Sequence, residues 1–232
     1  MDHVVLGPGT IPPAPVDSSC AHEFKQARFY RQGRRGFGIV YVLLHVAECA
    51  EVNSAADNLC SYCASMPDGR VASWTYATDR YSVTQSVREA DTAFHAPPLN
   101  DCSIGIESAG FSSQLDADWA DDYSRDMLDR FETLVADVCR RHGIPARVVP
   151  DDALLAALPQ LTALAGRGHI YGGPTEPTIA VTWEQAASIF GGILTHAQVS
   201  RVFKKSAHYD PGAHFPLDDF VRKVAARVAS AA

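Results

Sequence analysis

The run Gly38-Ile39-Val40-Tyr41-Val42-Leu43-Leu44, ending at His45, is apolar and rich in β-branched residues, the mark of a strand buried on both faces. A helix is expected across Asn53 to Ser65, because Ala55, Ala56, Leu59, Cys60 and Cys63 fall on one helical face. Pro67-Asp68-Gly69 reads as a turn, followed by a strand over Val71 to Thr78 that pairs as a hairpin with Ser82 to Val87. Cys102 to Glu107 reads as a further strand, in which Gly105 allows close backbone approach. The clearest amphipathic helix carries Trp119, Tyr123, Met127, Phe131, Leu134, Val135 and Val138 at steps of three and four. Arg140, Arg141, Gly143 and Pro145 mark its end. Val148-Val149 suggests a short strand, Asp151 to Leu158 a helical turn or two, and Gly166 to Thr178 a Gly- and Pro-rich loop. Pro216 opens a last helix with Leu217, Phe220, Val221, Val224 and Val228 inward. Strands interleaved with helices give an α/β class, with a mixed central β-sheet flanked by helices.

Residues 1–22 contain Gly7-Pro8-Gly9 and Ile11-Pro12-Pro13-Ala14-Pro15, which cannot continue a helix or a central strand. They read either as an arm or linker or as a loose terminus packed on the surface, ahead of one domain over residues 23–232. The 232 residues suffice for one well-buried core. A net charge of -7 argues against a nucleic-acid binder, which needs a basic surface to neutralise phosphates. No apolar run reaches 18 residues, so no membrane span is expected. The start Met1-Asp2-His3-Val4-Val5-Leu6 lacks a basic segment followed by an apolar one, so no secretory signal is expected either. Six cysteines without dense spacing suit a reduced, cytosolic place of synthesis. Cys60-Ser61-Tyr62-Cys63 lacks a second CxxC or a thioredoxin-like context, and buried helix thiols are the reading.

Candidate chemistry gathers near the end of the chain. His196 in Leu194-Thr195-His196-Ala197 and Asp210 in His208-Tyr209-Asp210-Pro211-Gly212 are two thirds of an open zinc site, and His45 is a donor for the third place. Composition does not by itself select these from nine histidines, and His169 is an alternative to His196.

Five segments carry a resemblance. They are the strand ending in His45, Ser73-Trp74-Thr75-Tyr76, Ala93-Phe94-His95-Ala96, Asn100 with Ser103-Ile104-Gly105-Ile106-Glu107, and His196 with the His208 to Gly212 turn. In this order they resemble the type 2 N-acetylmuramoyl-L-alanine amidases, which share the peptidoglycan-recognition fold, and among them the amidase domains of actinobacteriophage endolysins. The similarity runs from about Gln26 to about Val228. It implies Zn2+ as cofactor, held by His45, His196 and Asp210, with Glu107 as general base and acid and His208 stabilising the oxyanion. It also implies substrate contacts from His95, Asn100 and Trp74, with Arg80 a weaker candidate; Asn100 can instead hold its loop by bonds to backbone. The chain departs from the pattern at Val46, where relatives often carry threonine, and at Thr75, where they carry histidine.

The implied activity is hydrolysis of the amide between N-acetylmuramic acid and L-alanine, by a monomer acting on peptidoglycan at the bacterial cell wall. Two other readings are a non-catalytic peptidoglycan-binding module of the same fold and a cytoplasmic amidase that recycles muropeptides. The retained ligand set argues against the first. Missing export signals suit the second and equally suit a phage lysin released through a pore made by another protein.

Overall fold

The computed structural model describes the backbone of residues 16–167, 169–171 and 178–230, with side chains of all but 167, 169–171 and 178–180. Its main sheet has six strands: β1 (Glu23–Phe24), β2 (Tyr41–Val46), β3 (Tyr76–Thr78), β4 (Val83–Gln85), β5 (Ser103–Ser108) and β8 (Gly192–Thr195). Their spatial order is β1-β4-β3-β5-β2-β8, with only the β3–β4 pair antiparallel. A two-stranded ribbon, β6 (His169–Tyr171) with β7 (Thr178–Ala180), stands apart from it. The mixed sheet flanked by helices is the architecture expected from the sequence.

Alternation along β2 divides the core. Val42, Leu44 and Val46 point to one face, where Ile104 and Ile106 join them. That layer is closed by α3 (Asp122–His142) and α7 (Leu217–Ser230) through Met127, Phe131, Phe220 and Val224. Tyr41 and Leu43 point to the other face, against Leu154, Ala157, Leu161 and Leu164 of α4 (Asp151–Arg167), Ala186 of α5 (Trp183–Phe190) and Val199 of α6 (His196–Phe203). Further along this second face, α1 (Ala55–Ala64) covers Ala77, Trp74 and Val87 with Ala56, Cys60 and Cys63. The two covers are separate clusters, and β2 and β5 end between them.

Several elements differ from the sequence expectation. Strand β2 starts at Tyr41 and continues through Val46, so His45 lies inside it rather than at its tip. Only Tyr76–Thr78 of the Val71 to Thr78 segment is strand. Thr75 N still donates to Gly105 O, but Ser73 N donates to Phe94 O, which ties the earlier part of the segment to the 93–100 loop. The long amphipathic helix is broken in two: α2 (Asp116–Trp119) ends before Asp121, whose side chain accepts from Ser124 N and caps α3. Gly143 closes α3 at φ 65, as the stop signals predict. Helix α4 runs to Arg167 rather than Leu158, with Pro159 inside it. Burial of Leu154, Ala157, Leu161 and Leu164 along one face overrides the proline. Val148 forms a single parallel bridge to Ile193 in place of a strand. The Gly166 to Thr178 loop includes β6, and residues 172–177 lie outside the described residues.

Of residues 1–22, residues 1–15 lie outside the described residues. Val16 packs on the core, Asp17 accepts from Glu89 N at 2.8 Å, and Ser18 Oγ donates to Asp137 at 2.7 Å. Residues 16–18 therefore pack against the domain. The six cysteines are free, with Cys60, Cys63, Cys102 and Cys139 buried. Burial pushes the Cys63 thiol up to about 12, which suits an inert packing residue.

Candidate metal centre

Strands β5, β2 and β8 run parallel and finish at one edge of the sheet, the place where α/β sheets build sites. His45 is the register partner of Glu107, and Leu44 that of Thr195. His45, Glu107 and His196, each two residues beyond a partner on the second face, share the gap between α1 and α6. Thr195 Oγ1 accepts from Gln198 N at 3.2 Å and caps α6, making His196 the first residue of a helix rather than part of a turn. Asp210 returns after α6, its carbonyl accepting from Ala197 N at 2.9 Å. A Cβ at Gly212, φ 95, would collide with the Ser112 carbonyl, so the turn after Asp210 is pressed against the 110–114 loop.

His45, His196 and Asp210 are 2%, 4% and 6% exposed, and their ligand-type atoms lie within 4.8 Å of one another. Asp210 divides its carboxylate, Oδ2 being 3.1 Å from His45 Nδ1 and Oδ1 3.4 Å from His196 Nδ1. Burial would raise the Asp210 carboxyl, but hydrogen bonds to His196 and His45 outweigh it and hold it well below the usual carboxylate range. Burial lowers His196 against the opposing pull of Asp210. Two imidazoles and an ionised carboxylate are a donor set that suits zinc. His22, Glu23 and Asp57 form a second group of ligand-type residues, mostly exposed and remote in character from an enclosed site.

The triad opens on a cavity of about 970 Å³, walled also by Trp74, His95, Asn100, Glu107 and His208. Glu107 Oε2 has no hydrogen-bond partner, and burial, then Asp210 and Glu48, push its carboxyl well above the usual range. A carboxyl raised in this way holds a proton more readily than an ordinary glutamate, which suits a group that must both take and return one. His208 is stacked on His196 with ring centroids 4.1 Å apart, and its Nδ1 is 3.6 Å from Asp210 Oδ1. Its side chain is 61% exposed toward the cavity mouth.

The remaining sequence candidates separate. Asn100 Oδ1 accepts from His95 N at 3.1 Å and Ala96 N at 2.7 Å, the loop-holding alternative. His95 lies on the cavity wall with both ring nitrogens within hydrogen-bond distance of protein partners, so it offers a substrate no free polar atom. Trp74 is buried in the wall. Arg80 does not reach the cavity: it pairs with Asp126 and lies over Tyr81 and Tyr123. Val46 packs into the core facing away from the site, and Thr75 is buried with an unpartnered hydroxyl. The side chain of His169 lies outside the described residues. Ser103, to which the sequence assigns no role although it opens one of the five segments, sits on the site face of β5; its place two and four residues before Gly105 and Glu107 in a strand is the available signal.

An enclosed imidazole-carboxylate cluster beside Glu107, at the carboxyl ends of parallel strands, is an arrangement that suits metal-assisted hydrolysis. The chain belongs to the N-acetylmuramoyl-L-alanine amidase family, whose model matches residues 35–213. No curated protein sequence matches it closely enough to count as a relative. Among solved structures it is similar to the Staphylococcus aureus hydrolase AmiA in complex with its ligand, with a TM-score of 0.57 and 14% identity over 94% of this chain and 93% of that one. An AmpD derivative matches with a TM-score of 0.54 and 14% identity over 90% of this chain and 99% of that chain. At such identities the two likenesses show a shared fold. The chain is a peptidoglycan amidase, and among the described residues no helix is long and apolar enough to cross a membrane.

Proposed function

We propose that His45, His196 and Asp210 hold a zinc ion, and that Glu107 and His208 complete an active site cleaving the bond between the lactyl group of N-acetylmuramic acid and the L-alanine of the stem peptide. The observation that carries this reading is the convergence of the three buried ligand-type side chains beside Glu107, on strands whose register brings them together. When bound, zinc would supply a Lewis acid for the scissile carbonyl and acidify a water molecule. Glu107 takes the proton of the attacking water on its carboxylate and returns it to the departing amine nitrogen. His208, exposed at the mouth and anchored by its stack on His196, donates a hydrogen bond to the oxyanion that develops on the carbonyl oxygen. Trp74 and Asn100 shape the wall against which the stem peptide lies.

The setting we propose is a phage endolysin acting as a monomer on the bacterial cell wall. The resemblance to actinobacteriophage lysins supports it. Digestion of purified peptidoglycan, followed by mass spectrometry, tests the bond: new N-terminal L-alanine is expected, and new reducing sugar ends would contradict it. Faster turnover on intact sacculi than on small soluble muropeptides is expected of a lysin, and the reverse would favour recycling.

A further inference from the structure

Ser103, Gly105 and Glu107 alternate along β5 and share a face. Gly105 makes room on that face, since a Cβ there would lie 2.5 Å from Cγ and Nδ1 of His95. The His95 ring thus lies close against the strand at Gly105, between Ser103 and His45. Its Nε2 is 3.2 Å from Ser103 Oγ, and its Nδ1 is 3.1 Å from His45 Nε2.

The proton order along this chain follows from what each group can do. Ser103 has one hydroxyl proton and donates it at 2.7 Å to the Leu99 carbonyl, which can only accept. Ser103 Oγ is therefore the acceptor toward His95, and the proton of His95 sits on Nε2. A neutral imidazole protonated at Nε2 accepts at Nδ1, so His45 Nε2 is the donor in the next link. That leaves His45 Nδ1 as the ring nitrogen turned to the cluster, 3.1 Å from Asp210 Oδ2.

We infer that Ser103 and His95 form a hydrogen-bond chain that fixes the tautomer and ring orientation of His45, presenting its Nδ1 to the metal. His95 is in this view a positioning residue, and the inference rests on the reading of His45 as a ligand. Its own position is set from behind by Asn100, which binds the His95 amide. Partners of this kind on the far nitrogen of a ligand histidine typically change metal affinity by about 10–100-fold.

Zinc titration of the metal-free full chain, with a competing chelator, and nitrogen NMR of its imidazoles test this together. His95→Phe, which keeps the ring volume without a nitrogen, is expected to weaken zinc binding about 10–100-fold. His95→Gln, whose amide oxygen can accept from His45 Nε2, is expected to stay within a few-fold of the unaltered chain. The spectrum of the metal-free chain is expected to show the His95 proton on Nε2. A folded His95→Phe variant with unaltered zinc affinity, or a His95 proton on Nδ1, overturns the inference, and the spectrum decides even where His95→Phe does not fold. An unaltered chain that binds no zinc sinks the ligand reading instead, while the spectrum still judges the hydrogen-bond chain.

Discussion

His45 and Glu107 are register partners on the adjacent parallel strands β2 and β5, with their side chains on the same face. Backbone hydrogen bonding alone therefore sets the first proposed ligand beside the proposed base, without help from any mobile loop. Removing the charge of Glu107 should leave that ladder intact. Glu107→Gln is expected to keep zinc affinity within a few-fold and to lower kcat by about 10²–10⁴-fold, checked by calorimetry and by turnover of purified peptidoglycan. A variant that loses zinc as well as activity would mean Glu107 belongs to the metal site rather than to proton transfer.

Metal removal should separate catalysis from recognition. The strands and helices that carry His45, His196 and Asp210 are held by apolar clusters on both faces of the sheet, so the metal-free protein is expected to stay folded while a chelator abolishes turnover. Zinc in excess should restore the activity and raise the midpoint of thermal unfolding, because a ligand that binds only the native state stabilises it by about 2.7 kcal/mol at 100 times its Kd. Activity that survives exhaustive chelation would contradict the zinc reading.

Glu89, which does not line the cavity, is a buried charge that contributes to stability against acid. It accepts from Tyr76 at 2.7 Å, from Arg141 at 2.5 and 2.8 Å, and from His142 at 2.8 Å. Burial alone would raise its pKa, but the bonds from Arg141 and His142 outweigh that and hold it at about 2, against an ordinary 4.5. A carboxyl depressed on folding stabilises the native state above its unfolded pKa, and the gain is lost as pH falls toward the folded value. The shift corresponds to stability on the order of 3 kcal/mol, lost between about pH 4.5 and pH 2. Urea denaturation at stepped pH should show that slope, and Glu89→Gln should be less stable at pH 7 with a shallower acid loss.

Much of this was legible because the residues concerned obey short-range rules. The apolar runs at Tyr41 and Ser103 and the three-four spacing of Met127, Phe131 and Leu134 fix which faces are buried, and the structure buries them. The helix α4 was under-read because a proline inside a helix is a strong local stop signal, whereas its continuation depends on partners such as Leu194 and Val199 far along the chain. Likewise β8 is only four residues long and identifiable chiefly by pairing with β2. At the site, the order of motifs named the ligand-type residues, but the second bond of each side chain was not accessible to spacing. That Asn100 holds a loop, and that His95 turns both nitrogens to protein, are facts of three-dimensional neighbours.

The layer beneath the sheet carries stability without touching the cavity. Phe220 of α7 is 1% exposed and lies edge-on to Phe131 of α3, with ring centroids 5.0 Å apart. Phe220→Ala removes that contact and leaves a cavity between α3 and α7, for an expected loss of about 3–5 kcal/mol in urea denaturation. Zinc affinity of the folded fraction should be unaltered, since β2 and β5 separate this layer from the site. A matching loss of zinc affinity would show that the two faces of the sheet are coupled.

Gly212 tests how firmly the Asp210 turn must be held. Its φ of 95 lies in the left-handed region, and an added Cβ would run into the carbonyl oxygen of Ser112. Ser112 cannot simply retreat: its amide donates to Glu48 at 3.1 Å, and Glu48 is itself held at φ 52. The strain of Gly212→Ala must then fall on the segment that carries Asp210, two residues upstream. The expected outcome is a modest loss of stability, about 1–3 kcal/mol, with a drop in zinc affinity and turnover far larger than that loss explains. Crystallography of the variant should find the Asp210 carboxylate displaced from His45 and His196. If zinc binds as before, the turn is not what fixes the ligand, and the Ala197 amide bond to the Asp210 carbonyl suffices by itself.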